Sequence, residues 1–228
     1  MTEMTIADRD CLILGNDRPK CILIWFVNAD AQKEVEFVAQ QLMAERNLPP
    51  FLLTACLVND WNDELSPWRA DGIKNQVFLG HGQLTLDWLR DKCIPYLRER
   101  WGMDDTAMMV GGYSLAGLFS LWAFHELGIF RGVASCSGSL WYPGWMEYAC
   151  GHAAPSGSRV YLSLGSREEK ARNPVLAQVG EATRASYARY SSDSRVTISV
   201  LEWNSGNHFA EPERRMLKGF AWLLRQTD

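Results

Sequence analysis

The residues most able to do chemistry stand in the stretch Val110-Gly111-Gly112-Tyr113-Ser114-Leu115-Ala116-Gly117-Leu118. A serine here has Gly112 two residues before it and Ala116 two residues after it, between an apolar run (107–110) and an apolar, helix-prone run (118–124). Small-x-Ser-x-small between a strand and a helix is the context of a nucleophile elbow, a tight turn that leaves no room for large flanking side chains and exposes the hydroxyl. The chemistry would be acyl transfer through a covalent serine intermediate. The plainer alternative makes Ser114 only the N-cap of the helix that follows.

A serine hydroxyl is a weak nucleophile near neutral pH and needs a base. Histidine, with an ordinary pKa of about 6.5, is the usual one. The candidates are His81, His125, His152 and His208. His125 falls inside the helix after Ser114 and reads as a helix-surface residue, His152 falls in a Gly-His-Ala-Ala-Pro turn, and His81 sits in a long loop. His208, in the turn-rich Ser205-Gly206-Asn207-His208-Phe209, follows the last strand and comes last in the chain order serine, acid, histidine. The base needs a carboxylate to hold its tautomer. The strand before the last runs into Gly165-Ser166-Arg167-Glu168-Glu169, which makes Glu168 the first choice and Glu169 the alternative. Both could instead be solvated acids paired with Arg167, Lys170 or Arg172, and Asp60, Asp63 and Glu202 are weaker rivals by position. The oxyanion needs backbone donors. These are expected at Leu115, directly after the serine, and at Asn28 or Ala29, after an early central strand. Trp61, Trp68, Trp141 and Trp145 are candidate pocket walls, or else loop anchors packing on the core.

The elements that must position these groups follow from hydrophobic patterning. Dense apolar runs at 21–27 and 51–58 read as strands buried on both faces, and 12–14 as a first edge strand. Further strands are expected at 106–111, 132–135, 159–164 and 195–203. Helices are expected at 31–46, 84–101 (bent at Pro95), 115–127, 174–190 and 211–225. Residues 59–82 and 137–145 read as loops, and a connection as long as the first is usually functional. Strands alternating with helices imply an α/β fold, with a mostly parallel sheet covered on both faces and its site at the carboxyl ends of the strands.

With 228 residues and 47% hydrophobic composition, the chain suits one domain spanning 1–228. A net charge of −4 without a lysine-arginine stripe disfavours nucleic acid, although a local basic pocket stays open. The N-terminus lacks the basic and apolar regions of a signal peptide, and no apolar run approaches a membrane span, so a cytoplasmic location without membrane association is expected. Six cysteines without a C-x-x-C pair read as reduced, mostly buried thiols, and zinc spacing is missing, so neither metal nor other cofactor is expected.

Taken together, Gly-Gly-Tyr-Ser114-Leu-Ala-Gly, Ser-Leu-Trp141-Tyr-Pro-Gly, Gly-Ser-Arg-Glu168-Glu-Lys and Glu202-Trp-Asn-Ser-Gly-Asn-His208-Phe resemble an esterase group of the α/β-hydrolase superfamily. That group includes esterase D-like and siderophore esterases, and the chain is most similar to its small bacterial members. The resemblance runs from about Cys21 to the C-terminal helix. It implies an α/β-hydrolase without a large cap domain, Ser114 as nucleophile, His208 as base, Glu168 as acid, and a small-molecule ester as substrate. Residues 60–68 resemble the family's site-bordering D-L-(S/T)-P loop. Siderophore enzymes tend to carry an arginine near that loop for anionic catecholates. Here Arg69 follows the motif instead of preceding it, so a siderophore substrate is not implied. An acyltransferase using the same three residues, or an idle scaffold used for binding, remains open, as does the oligomeric state.

Overall fold

The computed structural model describes residues 1–71, 76–102 and 108–226. Its frame is an eight-stranded sheet. β1 (Thr2–Ile6) and β2 (Arg9–Gly15) form an antiparallel hairpin at one edge. β2 pairs antiparallel with β4 (Phe51–Val58), and from there the sheet is parallel through β3 (Cys21–Asn28), β7 (Met108–Tyr113), β8 (Gly132–Cys136), β9 (Ser158–Gly165) and β10 (Val196–Asn204). The strand order is β1-β2-β4-β3-β7-β8-β9-β10. Seven of the eight residues of β3 are buried, as a strand covered on both faces requires.

Helices close both faces. α1 (Gln32–Ala44) and α9 (Pro212–Arg225) bury Val35, Val38, Leu42, Met216 and Phe220 against one face. α5 (Leu115–Leu127) packs on the other, together with α3 (Gly82–Trp88) and α4 (Ile94–Trp101). α5 is apolar nearly all round, with a continuous buried run from Leu115 to Phe124, because it is covered on its outer side too. α6 (Trp145–Gly151) and α8 (Val179–Ser192) extend that layer, and a short α7 (Pro174–Ala177) precedes α8. Among the described residues no helix is long and apolar enough to cross a membrane. None of the six cysteines is in a disulfide; five are buried and Cys150 is exposed.

Several elements differ from the sequence expectation. The edge strand is β1, not 12–14, and the turn after it places Ala7 at φ 58°, a conformation alanine does not advertise. The helix expected over 84–101 is divided by a wide π-type turn at Leu89–Cys93 immediately before Pro95. The wider turn accommodates a ring that would otherwise crowd the preceding carbonyls. The loop at 59–82 holds α2 (Trp61–Glu64) and the paired β5 (Ala70–Asp71) and β6 (Val77–Phe78), tied together at buried Ser66. There the Gly80 amide donates to Ser66 Oγ and the Gly82 amide to Ser66 O. α6 was not anticipated after 137–145. Of the strand expected at 106–111, residues 106 and 107 lie outside the described residues, as do 72–75 of the long loop.

Candidate active site

Three chain reversals at the carboxyl edge of the sheet build the site. The first follows β7. Ser114 has φ 57° and ψ −123°, a conformation L-residues avoid, at a cost of about 1–3 kcal/mol. The flanking small residues have a steric reason. A Cβ on Gly112 would lie 2.5 Å from the Ala116 carbonyl and 2.7 Å from its Cβ. The turn is pinned by the Ser114 amide donating to Cys136 O (3.1 Å) and the Ser139 amide donating to Ser114 O (2.9 Å). Leu115 opens α5, so its amide is one of those a helix leaves without an intrahelical partner.

The second and third reversals follow β9 and β10, whose ends are in register at Gly165 and Asn204. The two loops are laced together by the Ser166 amide to Asn204 O (2.7 Å) and the Arg167 amide to Gly206 O (2.9 Å). This fixes His208 relative to Glu168. His208 Nδ1 lies 2.7 Å from Glu168 Oε2, and Nε2 lies 3.0 Å from Ser114 Oγ. An ionised carboxylate only accepts, so Nδ1 carries the proton and Nε2 is left to accept the serine's. Ser139 Oγ stands 3.4 Å from Ser114 Oγ.

Glu168 is buried, and its other oxygen is fully used. Oε1 accepts from Ser137 Oγ (2.7 Å), the Gly165 amide (2.7 Å) and Arg215 Nη1 (2.8 Å). Burial pushes the carboxyl's pKa up, but hydrogen bonds from His208, Ser137 and Gly165 and the histidine's charge outweigh it and hold the pKa below the ordinary 4.5.

Glu169, the alternative acid, faces away and pairs with Arg184 at 2.9 Å. Asp60 caps α2, Asp63 pairs with His81, and Glu202 accepts from Tyr161 and Lys218. His125 is half-buried near the C-terminal end of α5. It bonds the Tyr190 hydroxyl and Ala153 O, and burial lowers its pKa to about 4.

Sequence reasoning missed Arg215. Only 2% exposed, it joins all three reversals, since Nη1 also reaches Ser137 Oγ (2.7 Å) and Tyr113 Oη (3.1 Å), while Nη2 donates to Ser205 O (3.1 Å) and Asn207 O (2.8 Å). Tyr113 Oη donates in turn to His208 O at 2.6 Å. The available signal was an arginine on the α9 stripe that carries Gly219 and Leu223, four and eight residues on. Ser137 was also missed. It directly follows β8 with φ 47°, inside the small run Ser135-Cys136-Ser137-Gly138-Ser139. Replacing Arg215 with methionine is expected to destabilise the fold by about 3–5 kcal/mol, because a buried carboxylate loses its cation. Denaturant unfolding at neutral pH measures this, and a change within about 0.5 kcal/mol would contradict it.

Ser114, Leu115 and His208 line a cavity of about 1030 Å³. Trp61, Phe78 and Trp141 form an aromatic wall. Trp68 does not line it. Its indole N–H donates to Pro143 O (2.8 Å), and its ring packs on Tyr142 and Tyr148, fastening the 59–82 excursion to the body. Trp145 is wholly buried and donates to Ser186 Oγ. Asn28 and Ala29, expected as oxyanion donors, are also not among the lining residues. Asn28 O accepts from the Ala31 amide in a turn that carries the chain into α1, and Ala29 borders a second, smaller cavity of about 390 Å³ beside β1 and β2.

No protein-family model and no curated protein matches the sequence. Among solved structures, the chain superposes on the siderophore hydrolase EstA from Aspergillus nidulans with TM-score 0.77 at 14% identity, over 96% of this chain and 91% of that one. An IroE-like serine hydrolase from Shewanella oneidensis gives TM-score 0.79 at 12% identity, over 95% and 76%. The enterobactin esterase FES from Shigella flexneri gives 0.70 at 20% identity, over 97% of this chain and 58% of that one. The fold is the α/β-hydrolase fold.

Proposed function

We propose that this chain is a serine hydrolase cleaving carboxylic esters through an acyl-enzyme on Ser114. The observation that carries the reading is the unbroken relay from Ser114 Oγ through His208 (3.0 Å) to buried Glu168 (2.7 Å) beneath a strained serine turn. These are the distances at which a base can take the nucleophile's proton while the acid orients the base. The strain at Ser114 also favours the reading over a mere N-cap, since its side chain makes no capping hydrogen bond.

In the first half-reaction His208 Nε2 takes the Ser114 proton as Oγ attacks the ester carbonyl carbon. The amide of Leu115 donates to the oxyanion, and the positive end of α5 adds to that field. Collapse breaks the carbon–oxygen bond to the alcohol, which leaves with the proton from His208. In the second half-reaction His208 deprotonates a water that attacks the acyl carbon. The acid departs, Ser114 recovers its proton, and the enzyme is unchanged. Glu168 stays ionised throughout and stabilises the imidazolium.

The test is hydrolysis of p-nitrophenyl esters of rising acyl length. The reading expects saturable release of p-nitrophenol, with a preference among chain lengths set by the cavity. Turnover no faster than in buffer across the series would count against it.

A further inference from the structure

The lip of the cavity beside the acid loop carries three cations: Arg167, Lys170 and Arg172. All three are exposed, and among the described residues none has an ion-pair partner. The acids that could have neutralised them are committed elsewhere. Glu169 turns outward to Arg184, and Glu168, the only acid among the described lining residues, is used by His208 and Arg215.

The segment bearing the cations is held in place. A 3-10 turn at Glu168–Lys170 is closed by the Lys170 amide to Arg167 O and the Ala171 amide to Glu168 O. At the other end Asn173 caps α7, its side chain accepting from the Val175 and Leu176 amides. The turn that sends Glu168 inward therefore presents its flanking cations at the mouth. The same cavity is lined by the aromatic rings of Trp61, Phe78 and Trp141. A net charge of −4 makes this unpaired positive lip a local exception, not a property of the whole surface.

We propose that the site selects esters bearing an anionic group, a carboxylate or a phosphate, which seats on Arg167, Lys170 and Arg172 while the apolar body lies against the aromatic wall. This rests on the esterase reading for the identity of the reacting bond. The binding preference does not depend on turnover. A weakly screened exposed cation contributes about two- to five-fold, so three together give a preference on the order of tenfold or more. The preference falls with salt, because the screening length shrinks from about 8 Å at physiological ionic strength to about 3 Å at 1 M.

The anion could sit on the alcohol side or the acyl side of the ester, and matched pairs separate the two. On the alcohol side the pair is para-acetoxybenzoate and its methyl ester. On the acyl side it is p-nitrophenyl hydrogen suberate and its methyl ester. Calorimetric binding to the Ser114→Ala protein is measured for both pairs at low and high salt. The same titrations use protein also carrying Arg167→Ala, Lys170→Ala and Arg172→Ala, with the unfolding midpoint as the check on folding. The proposal expects tighter binding of the anionic member of at least one pair, weakened by salt and lost in the triple variant. Anionic members binding no tighter than neutral ones in both pairs, or a preference that survives the triple variant, overturns it. A salt-sensitive, lip-dependent preference with no wild-type hydrolysis of any of the four esters would sustain the lip and sink the esterase reading alone.

Discussion

Ser114→Ala is expected to lower ester hydrolysis by a factor on the order of 10⁵–10⁶, leaving only what the cavity and the Leu115 amide give a bound ester. The size follows from the arrangement. Without Oγ there is no covalent path, and His208 Nε2, 3.0 Å from that oxygen, has no proton to take from the enzyme. His208→Ala should cost about as much, because the two residues act as one unit. The double variant should fall little further, as such losses do not add. Neither change should unfold the protein. The Ser114 side chain makes no helix cap, and replacing it does not disturb the backbone bonds to Cys136 and Ser139. Initial rates with p-nitrophenyl esters, alongside unfolding midpoints, decide the matter. Ser114→Ala retaining more than about a hundredth of wild-type activity would remove serine from the mechanism.

Glu168→Gln is expected to cost about 10⁴ in kcat, the loss that accompanies a wrong histidine tautomer in a comparable relay. The reason lies in the donors around the carboxyl. Ser137, the Gly165 amide and Arg215 all point hydrogens at Oε1, and His208 Nδ1 points one at Oε2. A glutamine amide brings two hydrogens of its own into this ring of donors. Either it faces Arg215 and Ser137 with like polarity, or it turns its NH₂ toward Nδ1 and forces the proton to Nε2, where it cannot accept from serine.

The same substitution carries a pH signature. The folded-state pKa of Glu168 is depressed, so the unfolded chain binds its proton first as pH falls. The stability from this group is therefore fully present above about 4.5 and is lost as pH drops through the lower folded value. Unfolding measured from neutral to strongly acid pH should show that loss in wild type. The Glu168→Gln curve should be flatter over the same window.

Much of this arrangement was legible in the sequence because strong local constraints produced it. Gly112 is glycine since a Cβ there would strike the Ala116 carbonyl and Cβ, and that exclusion is visible as spacing. Strands β3 and β4 announce themselves as dense apolar runs since both faces are covered. Strand order narrowed the base to His208 and the acid to Glu168 or Glu169. The parts that were not legible depend on long-range contacts. Arg215 reaches Tyr113, Ser137 and Glu168 across three loops, and its place on the α9 stripe marks its burial but not these partners. Trp68 and Trp61 have the same type and similar loop context. Trp61 lines the cavity, whereas Trp68, whose indole N–H donates to Pro143 O, anchors a loop. Asn28 and Ala29 were placed by topology, and neither is among the residues that line the cavity beside Ser114. The choice between Glu168 and Glu169 needed the position of Arg184, sixteen residues from the first.

The most direct test of the central claim is covalent labelling with a fluorophosphonate, followed by peptide mass spectrometry. The account predicts a single adduct on Ser114 in folded wild-type protein, none on Ser114→Ala, and labelling of His208→Ala slowed by several orders of magnitude. Folded wild-type protein that stays unlabelled, or carries the adduct on another residue, would contradict it.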